Sequence, residues 1–257
     1  MNLKGVDFRS PLFLCLLNIS MNDTVFVLGN GPSRKNIDPN LLPGLVIGCN
    51  ACYRDFKPDA ICAIDAGVIS EIIDSGFDGD CYFTHDSWNL LPADAKLSLS
   101  NGTEHETKRK EGDDQFVFIS GLDGGVTKAE NYIIWVPKKM EQKIKNIGIQ
   151  VLRWSTGTSA VYVACMELDP KKVYILGFDY KNDEYDNLYA DTKHYYSSNN
   201  KQEWKTIHSK WSDQLFEVFN WFPNIEFYWV NYGGYVFSDG AFQKNLHFLD
   251  EKEIWQV

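Results

Sequence analysis

The sequence predicts an α/β protein: a single Rossmann-like domain with a doubly wound, mainly parallel sheet and a mobile lid. Three observations lead there. Short, continuous apolar runs rich in β-branched residues recur along the chain, and helical segments alternate with them. The first run closes on Gly29-Asn30-Gly31-Pro32-Ser33, a turn whose small residues let backbone come close to a ligand.

The elements follow in order. Residues 24–28 read as a buried strand entering that turn, and residues 45–48 and 60–64 read the same way. A helix over 67–74 precedes a strand over 81–84. Residues 94–114 turn polar and charged, with Asn101-Gly102 as a turn signal, and read as a mobile insertion. Residues 115–120 and 131–136 pair as a hairpin across 121–125. A helix over 157–168 leads into a buried strand over 172–177, with Asp179 just past its carboxyl end. Residues 180–205, crowded with tyrosines, are too long for an ordinary connection and read as an active-site lid. A helix over 209–222, with Trp211, Leu215, Val218, Phe219 and Phe222 at helical spacing, precedes a last strand over 225–230. The aromatic-rich tail over 232–257 covers either the domain's own core or a subunit interface.

The whole chain bounds the function. Its 257 residues, 44% of them hydrophobic, suffice for one large core, and no linker or repeat divides them. The 25 basic against 35 acidic residues, a net charge of −10, argue against nucleic acid or an anionic membrane as main partner. The six cysteines mostly sit in apolar runs and read as core residues in a reducing cytoplasm; Cys49 and Cys52 form a lone C-x-x-C, without a second pair or a histidine at zinc-ligand spacing. The apolar run over 11–17 is short and lacks a small-residue cleavage site before Asp23, so residues 1–20 read as an extension ahead of a domain over 21–257. No run approaches a membrane span.

Strand ends of a parallel sheet gather at one edge, where ligands bind. Gly29, Asn30, Gly31 and Ser33 are therefore candidates for holding a phosphate or ribose, or for a sharp turn with no ligand. Asn50, Asp65, Gly177 and Asp179 end later strands and suit a base, a ribose or a metal. A Walker-type Gly-Lys-Ser/Thr ending and the dinucleotide glycine spacing are both missing.

Residues 25–38, with Gly-Asn-Gly-Pro-Ser and then Ile37-Asp38, resemble the amino-terminal motif of the Campylobacter-type sialyltransferases, glycosyltransferase family 42. The resemblance continues in order through Cys49-Asn50, Arg153-Trp154-Ser155-Thr156-Gly157, the strand ending Gly177-Phe178-Asp179, Tyr189 with Asp191-Thr192-Lys193, and His208-Ser209-Lys210. It implies inverting, metal-independent transfer of sialic acid, or a related sugar, from a CMP-linked donor to a glycan acceptor, with no further cofactor. Under it His208 is the general base, and Tyr189 with Tyr180 or Tyr185 hydrogen-bonds the departing phosphate. Asn30, Asn50, Ser155, Thr156 and Gly157 hold the nucleotide, and Arg153 meets the acceptor or a sugar carboxylate. The family's tetramers imply a homo-oligomer.

The pattern also departs from that family. Asp65 stands where the family has Asn, and Thr156 replaces its serine. Residues 57–65 resemble the domain-of-unknown-function 115 proteins, which include archaeal 6-hydroxymethyl-dihydropterin pyrophosphokinases. That likeness implies ATP with Mg²⁺ held by carboxylates such as Asp65 and Asp179. A nucleotide- or sugar-binding protein of the same fold without turnover is the third reading.

Overall fold

The computed structural model describes residues 23–77, 79–84, 96–98, 104–107, 116–120, 131–134, 155–180, 186–231 and 243–256. The 1–20 extension, Arg153 and Tyr185 lie outside these residues.

The chain order is β1 (Thr24–Leu28), β2 (Leu45–Cys49), β3 (Ala60–Ala63), α1 (Ala66–Ser75), β4 (Asp80–Thr84), β5 (Lys96–Ser98), β6 (Glu104–Thr107), β7 (Phe116–Ser120), β8 (Asn131–Ile134), α2 (Thr156–Leu168), β9 (Lys172–Leu176), α3 (Trp204–Trp221), β10 (Glu226–Val230) and β11 (Leu246–Leu249). They form one sheet ordered β11-β10-β9-β1-β2-β3-β4-β8-β7-β6-β5. Every pairing from β11 to β8 is parallel, and β8, β7, β6 and β5 continue the sheet antiparallel. The fold is thus α/β and Rossmann-like. Strand order runs outward from β1 in both directions, through β2 on one side and β9 on the other, so the topological switch point falls between β1 and β9.

The continuous apolar runs are explained by cover on both faces. Val25 and Val27 of β1 point into a cluster with Ala160, Val161 and Ala164 of α2 and Leu215, Val218 and Phe219 of α3. Phe26 and Leu28 point the other way, onto Leu42, Val46, Cys52, Tyr174, Leu176 and Ile254. Val25 to Leu28 are buried whichever way they face, so alternation vanishes from the sequence. On that second face a row of rings crosses four strands: Phe26 stacks on Tyr174 at 4.8 Å, Tyr174 on Tyr228 at 4.8 Å and Tyr228 on His247 at 4.9 Å. These residues are register partners, which ties the row to correct parallel pairing.

α2 is apolar on nearly all sides because it lies across β1, β2, β3 and β9 and packs against α3. Ser155 caps its start, its hydroxyl accepting from Thr158 N at 3.0 Å, and Asp169 in the left-handed conformation (φ 42°) ends it. α3 ends ahead of Pro223, and its last turn is closed by a buried amide: Asn245 Nδ2 donates to the carbonyls of Phe219 (3.2 Å), Phe222 (3.0 Å) and Ile225 (3.0 Å). Asn245→Leu strands these buried acceptors, and an equilibrium urea titration is expected to show a loss of about 1–3 kcal/mol.

Several sequence expectations change. The 94–114 segment, read as an insertion, contains β5 and β6, which pair with each other and join β7. The tail contributes a further parallel strand, β11, beside β10. α3 begins at Trp204 rather than 209, which moves His208 from a helix head into its second turn. The expected hairpin does form between β7 and β8. Cys49, Cys52, Cys62, Cys81 and Cys165 are all buried and unpaired as disulfides, and burial pushes the Cys62 thiol up to about 12. Among the described residues no helix is long and apolar enough to cross a membrane.

Candidate functional site

A cleft of about 710 Å³ opens at the carboxyl edge of the sheet, over the switch point. The turns after β1 and β9 make its floor. Gly29 N donates to Leu176 O at 2.8 Å and Gly31 N to Gly177 O at 2.9 Å, so the two turns continue the strand pairing beyond the sheet. This closeness is why the glycines are there: a Cβ on Gly29 would lie 2.4 Å from Gly177 O, and one on Gly31 would lie 2.2 Å from Asp179 Oδ2.

Asp179 serves that same turn. Its Oδ2 accepts from Ser33 N at 2.8 Å, at the start of the short helix Pro32–Arg34. The carboxylate thus caps the amide that a phosphate would otherwise seek. Ser33 itself does not line the cleft; its hydroxyl is buried, and its carbonyl accepts from Asn231 Nδ2 at 2.9 Å. In this arrangement Ser33 anchors the turn.

Asn30 does face the cleft. Its Nδ2 donates to Tyr195 Oη at 3.0 Å, and its Oδ1 accepts from the Cys52 thiol at 3.1 Å. Asn50, in the left-handed region at φ 50°, follows β2, and its Oδ1 accepts from the Thr156 hydroxyl at 3.3 Å. Ser155, Thr156 and Gly157 bring the start of α2, a helix of 13 residues, to the wall, where first-turn amides and the helix dipole favour negative charge. Asp65, at the end of β3, and Asp186 complete the acidic lining.

His208 lines the opposite wall and is only 4% exposed. Its ring centroid lies 5.8 Å from that of Tyr180, 5.8 Å from Trp204 and 5.4 Å from Trp211. Trp204, His208 and Trp211 stand at i, i+4 and i+7 of α3, one helical face, so the cage is built largely within one element. Burial pushes the Tyr180 hydroxyl well above its usual range, against a hydrogen bond with the Ser155 side chain that lowers it.

Tyr189, expected as a phosphate ligand, is turned elsewhere. Its hydroxyl donates to Asp55 and accepts from Arg34 Nη2 at 3.2 Å, in a second cavity of about 370 Å³ behind the turn. Arg34, 5% exposed, also donates through Nε to Gly29 O. Residues 186–203 carry turns without helix or strand and close on the sheet edge through Leu188 N, which donates to Asn30 O at 2.8 Å, and Tyr195 Oη, which accepts from Ala51 N at 3.1 Å. Tyr195 and Tyr196, not Tyr189, are the tyrosines of this segment that line the cleft.

The segment is also pinned by Arg54, which donates to Thr192 Oγ1 (2.9 Å) and Lys193 O (3.1 Å) while pairing bidentately with Glu71. Burial works against the Glu71 carboxylate, but the bonds from Arg54 and Tyr53 outweigh it and hold its pKa below the ordinary value. A depressed carboxylate pKa contributes stability above its unfolded value and loses it as pH falls through the folded one. Glu71→Gln is therefore expected to lower the melting temperature at neutral pH and to flatten its decline below about pH 4.5, read by thermal scans across pH.

The structure thus brings Gly29, Asn30, Gly31, Asn50, Asp65, Ser155, Thr156, Gly157, Gly177, Asp179, Tyr180 and His208 to one cleft. Among the described residues no cluster of three or more His, Cys, Asp or Glu side chains gathers as a metal site. Comparison of the chain with known protein families, with curated proteins and with solved structures finds no match.

Proposed function

We propose that this protein is a glycosyltransferase of the sialyltransferase kind, which passes an acidic sugar from a CMP-linked donor to a hydroxyl acceptor with inversion. One observation carries the reading: a histidine from α3 shares a switch-point cleft with the Gly29–Gly31 turn, Asn50 and the capped start of α2. Such an arrangement supports a site where a nucleotide is held beside a proton acceptor.

In this scheme the acceptor oxygen attacks the anomeric carbon as the His208 imidazole takes its proton. The bond from that carbon to the phosphate oxygen breaks, and CMP leaves with the electron pair. Tyr180, a phenol that carries its proton at neutral pH, donates a hydrogen bond to the charge that develops. The rings around His208 exclude water from the reacting atoms.

A second reading has its own support. Asp65, Asp179 and Asp186 line the cleft, whereas no lysine or arginine does among the described residues, as suits a nucleotide that arrives with Mg²⁺ in a pyrophosphokinase. Against it, Asp179 already holds the Ser33 amide.

Thermal denaturation with CMP, UDP, GDP and ATP, each with Mg²⁺ or chelator, separates the two. The transferase reading expects a rise with CMP that chelator leaves intact. A rise confined to ATP with Mg²⁺ favours the kinase. Stabilisation by CMP without turnover of any CMP-sugar favours a binding protein.

A further inference from the structure

Among the described residues two histidines line the cleft, and the proposed reaction uses one. The other, His194, stands near the end of β3 beside Asp65 and Gly67. Its position is built rather than incidental. Its backbone lies in the left-handed region, φ 65°, where non-glycine residues are uncommon and strain gathers at functional sites. Its ring fills the space that a side chain on Gly67 would take: a Cβ there would lie 2.5 Å from His194 Nδ1. Nε2 lies 3.8 Å from Glu71 Oε2, and Glu71 is itself fixed by Arg54 and Tyr53. The His194 side chain is 31% exposed.

The charges of the cleft define what this histidine does. Among the described residues the lining holds three carboxylates, Asp65, Asp179 and Asp186, and only His194 and His208 can become cationic. His208 is nearly enclosed by Tyr180, Trp204 and Trp211, and Tyr189 faces Asp55 instead of the cleft. We infer that His194 is the anion-receiving residue of this cleft: as an imidazolium it pairs with the phosphate of the bound nucleotide, and Glu71 positions its ring. The identity of the ligand as a cytidine nucleotide rests on the function proposed above; the anion site does not.

The groups around His194 leave its titration legible. Glu71 comes from α1, Arg54 from the short helix after β2, Asp65 from the end of β3, and Asp191 and Lys193 from its own segment. Hydrogen bonds hold the Glu71 and Asp191 carboxylates below their ordinary range, and the bonds to Glu71 raise Arg54. His208 is the other imidazole of the described lining, and it is retained when His194 is replaced.

Calorimetric titration of the full-length protein tests this with three probes: the methyl ester of CMP, whose single phosphodiester charge is fixed over this range, cytidine, and sulfate. The methyl ester is expected to bind about tenfold more tightly at pH 5.5 than at pH 8. His194→Asn, which tolerates the left-handed backbone, removes that slope, and His194→Arg restores tight binding at both pH values without it. Cytidine shows no slope in either protein. A methyl ester that binds without a pH slope, or with one that His194→Asn leaves unchanged, overturns the inference while the transferase reading stands. Sulfate binding with a slope lost in His194→Asn, alongside no binding of any cytidine compound, upholds the anion site and overturns the CMP reading. Binding of no probe overturns both.

Discussion

If the protein is the transferase proposed above, replacing His208 by alanine is expected to lower the turnover of a CMP-sugar donor by about 10²–10⁴-fold while leaving the affinity for CMP nearly unchanged. The size follows from the role: a positioned base that takes the acceptor proton in the transition state contributes that much, and ground-state nucleotide binding does not draw on it. The location supports the separation. His208 lies on α3 among Tyr180, Trp204 and Trp211, whereas Asn30 and Asn50, proposed to hold the nucleotide, follow β1 and β2. Product formation with a labelled donor, beside CMP titrations, checks it. Because the imidazole is buried, alanine leaves a cavity as well, so His208→Gln, which keeps volume, is measured alongside. Loss of CMP binding in step with turnover in both variants would assign His208 to binding or folding rather than to proton transfer.

The second large effect concerns the paired turns. Gly29→Ala places a methyl 2.4 Å from the Gly177 carbonyl, 2.9 Å from the Phe178 ring and 3.1 Å from the Gly177 carbonyl carbon. Backbone cannot rotate out of the way, so the turns after β1 and β9 must separate. A destabilisation of about 1–3 kcal/mol in urea is expected, together with loss of nucleotide binding. Gly31→Ala differs in kind. Its methyl meets the Asp179 carboxylate at 2.2 Å, a side chain, although Gly177 O lies 2.8 Å away as well. Adding Asp179→Ala is thus expected to recover part of the stability lost in Gly31→Ala and none of that lost in Gly29→Ala, a non-additivity that a double-mutant cycle reads directly. Equal recovery in both backgrounds would show that backbone contact does not dominate at Gly29.

The sheet and much of its ligand edge were legible because they depend on local patterns. Val25, Phe26 and Val27 are apolar in succession since both faces of β1 are covered, and the Gly-Asn-Gly turn must follow where β1 approaches β9. Less local features were not. β11, Leu246–Leu249, is a short edge strand whose residues alternate only weakly between buried and exposed, so its sequence carries little strand signal. The start of α3 at Trp204 follows Glu203, which makes no side-chain cap, so the boundary carries no mark. The spacing of Trp204, His208 and Trp211 was visible but has meaning only once that boundary is known. Tyr189 and Tyr195 sit with rings 5.6 Å apart in one irregular segment, and which of them enters the cleft is decided by turns with positive φ at Asp191 and His194. Hydropathy carries no information on that choice.

The position of β1 between β2 and β9 has a kinetic meaning. Its partner on one side begins at Leu45, but its partner on the other begins at Lys172, after most of the chain has been made. Sequence-distant parallel pairing is slow, because loop closure precedes the contacts that reward it. During synthesis the Gly29–Gly31 turn therefore waits for Gly177 to emerge before its own amides find their acceptors, and the pocket comes into being together with the second half of the sheet rather than with the first.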